Sequence, residues 1–464
     1  MKPRLSLLTL CLLLGACGST AQRPDSGIQP PSSWQSPHTQ NATHRNLQWW
    51  TQFGSPELDR LIEQARVGSY DLAAAIARVR QAQADTVIAG GSLLPEVKAG
   101  LNANRQKLLR GSGYSQLDAD SSNKAVDYFD ANLSATYEID FWGGQRASRD
   151  SAQFGLQASE FDRATVELTL LSGVANSYAQ ALSLREQSRI AELNLANAQN
   201  VLNLVQTRFD SGSATALELA QQKSLVAAQQ RQLPLVQQQA QDALISLAAL
   251  LGRPVQQLRL GAERFEQLSW PTIAAGVPSE LLTRRPDIAR AEAQLAAAQA
   301  DVTVARAAML PAVTLSAELG SGADRAADIL RNPFYNLTAG LLAPVFNNGR
   351  LSAERDKATA RQEELLENYR GAIINGFADV EKALNGIRGL DEQRQWQGEE
   401  LNQAQTAFNI AQSRYEAGAE DLLTVLETQR TLYAAQDLNV QLRLSRLQAS
   451  IALYKALGGG WQAL

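Results

Sequence analysis

The chain repeats itself, and the size of the repeat limits what it can fold into. The stretches "TRFDSGSATALELAQQKSLVAAQQ" from Thr207 and "SRYEAGAEDLLTVLETQRTLYAAQ" from Ser413 stand 206 residues apart. Arg208 matches Arg414, Phe209 matches Tyr415, Asp210 matches Glu416 and Gly212 matches Gly418. Leu251-Gly252 matches Leu457-Gly458 at the same offset, and Gly143 matches Gly349. Upstream, "SLLPEVKAGL" from Ser92 resembles "AMLPAVTLSA" from Ala308 at an offset of 216, so the first repeat holds about ten extra residues between Pro95 and Gly143. A unit of roughly two hundred residues used twice is far longer than a solenoid repeat.

Each repeat reads in the same order. A helix (about 71–92, and about 286–308) ends near a proline; a strand, a loop and a second strand follow. A very long helix, a glycine turn and a returning helix complete the unit. The run from about Gly144 to Ser211 has no proline and few glycines, and its counterpart at about 350–417 is the same length. At 1.5 Å per residue such a helix spans roughly 100 Å, too long for the inside of a compact domain. Pro234 lies in the first returning helix, where the second repeat has Val440, and predicts a kink or break there.

The strands alternate. In "LSATYEIDF", Leu133, Ala135, Tyr137, Ile139 and Phe141 alternate with Ser134, Thr136, Glu138 and Asp140, the period-2 mark of a strand with one oily and one wet face. Val97 to Ala103, Val313 to Leu319 and Leu337 to Leu341 do the same. The loop "LLRGSGYSQLDADSSNK" is polar and glycine/serine-rich, so the first repeat's extra residues fall in a solvated hairpin loop. Four strands are too few for a barrel, because single-chain barrels begin at about eight. Other chains must complete them: two give little lumen, three give twelve strands and a channel. Leu133, Tyr137, Ile139 and Phe141 then meet lipid, and the polar residues between them face water.

The N-terminus reads as a secretory signal over residues 1–16, with Lys2 and Arg4 before the apolar run Leu5–Leu14. "LGAC" at Leu14–Cys17 resembles a bacterial lipobox and makes Cys17 the lipidated N-terminus. Loss of Cys11 with the signal and acylation of Cys17 leave no disulfide. Gly18, rather than Asp, after the cysteine points to the outer membrane. Removing Lys2 and Arg4 takes the formal charge from −4 to −6, which excludes nucleic acid as a partner. The two histidines, His38 and His44, sit in a polar stretch and suggest no metal or catalytic site. No later segment approaches about eighteen consecutive apolar residues, so any crossing of a membrane is by β-barrel.

The chain resembles the TolC-like outer membrane factors, specifically the OprM/NodT-type lipoprotein branch that serves resistance-nodulation-division (RND) efflux systems. The matching stretches are "WWTQFGSPELDRLIEQA" from Trp49, "LLTRRPDIARAEAQLAAAQADV" from Leu281, "RYEAGAEDLLTVLETQRTLYAAQ" from Arg414 and "LYKALGGGW" from Leu453. The resemblance implies a mainly α protein with a membrane β-barrel. Long antiparallel helices form an α-barrel, and four strands per chain give a twelve-stranded barrel in a homotrimer. It also implies a passive exit duct for drugs or other small toxic compounds. That duct would be coupled to a periplasmic adaptor and an inner-membrane RND transporter, with no cofactor, metal or catalytic residue.

On this reading residues 17–48 are a lipidated, extended linker and 49–252 the first structural repeat. Residues 253–280 are an equatorial connector, 281–458 the second repeat and 459–464 a tail. Strands are expected at about 95–106, 128–142, 311–320 and 335–346, and long helices at about 144–211, 213–251, 350–417 and 419–457. Trp49 and Trp50 are read as packing in the equatorial belt rather than as interfacial anchors. Arg208, Phe209, Asp210, Gly212, Arg414, Tyr415, Glu416 and Gly418 form the adaptor or gate tip. Family gates close with Asp or Leu rings where this chain has Ile410, Ala411 and Gln412, so Glu420 and Asp421 are the alternative acids. A duct for type I or ABC-type export, or a structural coiled-coil lipoprotein, are the rival readings.

Cys17→Ser is expected to abolish acylation, read by mass spectrometry of the mature N-terminus. An acylated variant would remove the lipobox.

Overall fold

The structure is a computed structural model and describes residues 25–36, 48–107, 125–261 and 263–461. The signal segment, Cys17 and both histidines lie outside the described residues.

Helix α1 (Pro56–Gly68) and helix α2 (Tyr70–Gly91) open the first repeat. Strands β1 (Glu96–Gln106) and β2 (Val126–Ile139) follow, then the long α3 (Gly144–Asp210) and the returning α4 (Ala216–Leu250). The second repeat has α5 (Pro278–Arg284), α6 (Pro286–Ala307), β3 (Ala312–Ala323), β4 (Pro333–Leu342), α7 (Arg350–Glu416) and α8 (Leu422–Ala456). Both long helices hold 67 residues and both returning helices 35. Their ends fall on the 206-residue offset, so the duplication extends to the helix caps.

The caps are written in the sequence. Ser55 accepts from the Leu58 N–H at 3.0 Å ahead of Pro56, and Thr215 with Glu218 forms a reciprocal capping box on α4. Asp140 accepts from the N–H groups of Gln145 and Arg146, both at 3.0 Å, and so starts α3. The predicted break at Pro234 is absent, because α4 is one helix through it. The ring removes a single hydrogen bond, to Gln230, and the flanking Val226 and Val236 are buried and hold the helix in place.

The chain forms two compact units. One collects Arg80–Ala158 and Ala291–Tyr369, with residues 25–28, and contains one antiparallel sheet in the order β1-β2-β3-β4. β2 pairs with β3 from Phe129↔Ala323 to Ile139↔Val313, so one strand of each repeat joins the two hairpins. β1 and β4 are the free edges. β2 ends at Ile139 and not at 142; Asp140 turns away to cap α3, and Phe141 leaves the ladder with its N–H on the Ile139 carbonyl at 2.8 Å.

The other unit collects Gln29–Val79, Ser159–Arg290 and Arg370–Leu464. Trp49 and Trp50 are buried in its main core with Phe53, Tyr178, Leu247 and Ile451. Trp49 stacks on Tyr454 at 5.2 Å between ring centres. A second core lies at the hairpin ends, around Val205, Phe408, Tyr415 and Val425. Trp34 is buried against Leu281 and Val380, and its Nε1 donates to the Gly276 carbonyl at 2.9 Å. The stretch before Trp49 is therefore pinned at Trp34 rather than being free linker throughout; one indole in a polar run gives burial enough to hold it.

Three positive-φ glycines are set by close approach or by a turn. Gly252 (φ +68) lies against the Gly68 carbonyl and Gly458 (φ +88) against that of Arg284, equivalent contacts in the two repeats. Gly212 (φ +74) has open space around it. Gly458→Ala is expected to cost more than about 2 kcal/mol and Gly212→Ala about 1 kcal/mol, read as shifts in the urea unfolding midpoint. Equal effects would contradict the close approach.

Candidate functional site

Two features stand out from the packed cores: the pair of hairpin tips in one unit and the bare sheet in the other. At each tip a long helix ends in a left-handed glycine, as a Schellman cap requires. Gly212 N–H donates to the Phe209 carbonyl at 2.9 Å and Ser213 N–H to that of Arg208 at 2.7 Å. In the second tip Gly418 N–H donates to Tyr415 at 3.0 Å and Ala419 N–H to Arg414 at 2.9 Å. Asp421 then caps α8 by accepting from the Thr424 N–H at 2.9 Å. That bond holds its carboxyl below the usual range.

The structure brings the predicted tip residues together unequally. Arg208 crosses to the other hairpin, where its Nη2 donates to the Tyr415 and Glu416 carbonyls at 2.5 and 3.2 Å. Its guanidinium lies 4.3 Å over the Tyr415 ring. A cation there meets both the negative end of α7 and an aromatic face. Burial raises the Tyr415 phenol pKa, against the pull of Arg208. Arg414 stays on its own hairpin, 3.3 Å from Glu420 and 3.4 Å from the Ala419 carbonyl. Asp210 accepts from Gln206 and Glu416 from Gln412. Of the alternative acids, Glu420 is thus paired and Asp421 is a helix cap.

In the sheet, the pairing register separates two faces. One carries Val97, Leu101, Leu133, Tyr137, Leu315, Leu319, Leu337 and Leu341. Leu101 is 78% exposed and Leu337 73%, so among the described residues nothing covers these leucines. The other carries Lys98, Asn102, Asp130, Ser134, Thr136, Glu138, Ser316, Glu318 and Thr338. Asn102 donates to Asp130 at 2.9 Å and Asn132 to Glu318 at 3.0 Å across strands. Phe334 lies across Gly320, where a Cβ would come within 2.6 Å of its ring, so glycine in β3 makes room for an aromatic on the polar side. Phe141, beyond the strand, is exposed and packs edge-on to Trp142 at 4.9 Å.

Two polar clusters lie in the same unit as the tips and were not assigned roles from sequence. Arg285 of the "RRPDI" stretch is buried. It donates to Asp287 at 3.0 and 2.7 Å, to Asp379 at 3.0 Å and to the Ala456 carbonyl at 3.3 Å. It thereby joins the start of α6 to α7 and to the end of α8. Burial works against the guanidinium charge, but the Asp287 bonds outweigh it and raise its pKa; the Asp287 carboxyl is lowered against burial by the same contact. The Tyr178 hydroxyl meets Ser55 at 3.1 Å, Glu57 at 3.1 Å and Glu263 at 2.9 Å. Burial alone would raise the Glu263 carboxyl, yet the donating hydroxyls of Ser55 and Tyr178 hold it low. This cluster ties the connector to α1 and α3. Partners 121 and 85 residues apart left no local motif to find.

Among the described residues no three His, Cys, Asp or Glu side chains are grouped to hold a metal ion, and no helix is long and apolar enough to cross a membrane.

A duplicated helical hairpin carrying a half-sheet with an oily face defines the class of TolC-like outer membrane channels. The chain belongs to the outer membrane efflux protein family, whose sequence pattern matches residues 61–253 and 277–459, once per repeat. It is 66% identical over 460 residues to the pyoverdine export outer membrane protein OpmQ of Pseudomonas aeruginosa, across 99% of this chain and 97% of that one. It is 63% identical to OpmQ of Pseudomonas putida, across 99% and 98%. Its fold matches that of the outer-membrane channel OprN with a TM-score of 0.86 at 26% identity, covering 96% of this chain and all of the other.

Arg285→Ala leaves two acids without their cation and is expected to lower stability by about 3 kcal/mol, whereas Arg284→Ala at a half-exposed pair costs under about 1 kcal/mol. The lowered Asp287 carboxyl contributes stability that is fully present above the ordinary carboxylate range and is lost as pH falls below that range and through the lowered folded-state value. Unfolding midpoints in urea at pH 7 and at about pH 2 check both; equal losses for the two variants would contradict the clamp.

Proposed function

We propose that this chain is one third of an outer-membrane exit duct that carries pyoverdine out of the cell. The observation that carries the reading is the four-stranded sheet with two unpaired edges and an exposed apolar face. β4 of each chain pairs with β1 of the next, and three chains close twelve strands. The leucine face meets lipid and the Asp130–Glu318 face lines water. The long helices continue the conduit through the periplasm, and the tips around Gly212 and Gly418 meet a periplasmic adaptor. Cys17 carries the lipid that adds a second anchor.

The duct is passive. No residue is assigned a catalytic role, and the energy comes from an inner-membrane transporter, of RND type as the family resemblance implies. The sequence left drugs or other small toxic compounds open as cargo; pyoverdine is favoured here because two relatives above 60% identity are named for its export. The polar face of the sheet, which carries no binding pocket built for one ligand among the described residues, supports the view that selection is made by the pump, so the cargo follows the partner.

A strain deleted for this protein is expected to retain pyoverdine in the periplasm, quantified by chromatography of periplasm and medium. Thr136→Asp, on the polar face, should restore export and Tyr137→Asp, on the lipid face, should not. Normal export in the deletion would overturn the cargo. Equal rescue by both variants would overturn the face assignment. Recovery of an ABC exporter, rather than an RND pump, in a cross-linked pull-down would change the partner.

A further inference from the structure

The two hairpin tips are related by the 206-residue offset, yet the contact between them is one-sided. Arg208 lies over Tyr415 and donates to the Tyr415 and Glu416 carbonyls. The offset makes Arg414 the counterpart of Arg208, Phe209 that of Tyr415 and Asp210 that of Glu416. Among the described residues nothing repeats the contact with those three. Tyr415 is 2% exposed beneath its arginine, whereas Phe209 is 37% exposed. Among the described residues no guanidinium lies over the Phe209 ring. The Phe209 carbonyl accepts from Gly212 N–H, while that of Tyr415 accepts from both Gly418 N–H and Arg208. Arg414 is 57% exposed and makes only the long contacts of its own turn.

We propose that a second copy of this chain completes the pattern. Arg414 of one subunit lies over the partner's Phe209 and donates to the carbonyls of the partner's Phe209 and Asp210. The inference rests on the trimeric reading above and adds to it the contact made between chains at the tips. The chemistry is the same at both seams. The end of α3 presents a negative dipole and a Phe209 carbonyl with one acceptor site left beside its bond from Gly212 N–H; both favour a cation, and the aromatic face beside them adds to that. The geometry is that of a heterologous interface. Each chain offers a donor, Arg414, and a separate acceptor, Phe209, and such a contact closes on itself in a ring. A closed tip then has two kinds of seam: the Arg208 seam inside each chain and the Arg414 seam between chains.

The test replaces Phe209 by p-benzoyl-phenylalanine in the full-length protein in outer-membrane vesicles. After irradiation the cross-linked peptides are identified by mass spectrometry, and the subunit number is read on a native gel. The expected result is a trimer with a cross-link from position 209 to the 410–420 segment of the partner subunit. Arg414→Ala should abolish that cross-link and leave the trimer intact, and Arg208→Ala should spare it. A trimer that cross-links at 209 only to an adaptor, or to nothing, overturns the proposal and leaves the trimeric duct standing. A monomer on the native gel overturns the reading beneath it.

Discussion

An antiparallel sheet that is oily on one face and open at both edges cannot be left as it is in a bilayer. Every unpaired N–H and C=O in hydrocarbon costs several kcal/mol, so the edges must find partners. In this chain the edges are β1 and β4, and the oily face runs through Leu101, Leu133, Leu319 and Leu337. Neither problem is solvable within one chain, because β2 and β3 already use each other. Closure by identical chains answers both at once. On the proposed function it pairs β4 with β1, turns the leucines to lipid and leaves the Asn–Asp and Asn–Glu bonds around a wet interior.

The helical part follows the same duplication. Two 67-residue helices and two 35-residue helices end at equivalent positions, each long one stopped by a left-handed glycine and each returning one begun by a side-chain cap. The main core of the helical unit then anchors them. Trp49 and Tyr454 stack there, Arg285 joins α6 to the middle of α7 and the end of α8, and Gly252 and Gly458 let the turns after α4 and α8 press on the Gly68 and Arg284 carbonyls. This explains why the "RRPDI" and "LYKALGGGW" stretches stand out in the sequence: the buried arginine of one meets the last helical turn of the other.

Much of this was legible because the period is strong and appears twice. Strand faces followed from alternation at Leu133–Ile139, helix ends from Gly212 and Gly418, and the tandem fold from the 206-residue offset. Misreadings came where a local rule met a tertiary contact. Pro234 reads as a kink or break; the break is absent, because α4 runs through it as one helix. Phe141 and Asp140 continue the alternation in sequence, yet Asp140 is taken by the α3 N-terminus and ends the strand. Trp34 hides in a polar run and still finds a buried site. The Glu57–Tyr178–Glu263 cluster and the unequal Arg208 and Arg414 contacts depend on residues brought together only by folding. Periodicity cannot reveal them.

The most direct test of this account places one cysteine on β1, among residues 97–105, and one on β4, among residues 334–342, in the full-length protein. The membranes are then oxidised and the chains separated under denaturing conditions. Pairing of β4 with β1 of another chain predicts covalent species of two and three chains and none larger, with a closed three-chain ring at full yield. Monomers alone, or an open-ended ladder, would contradict the closed twelve-stranded barrel.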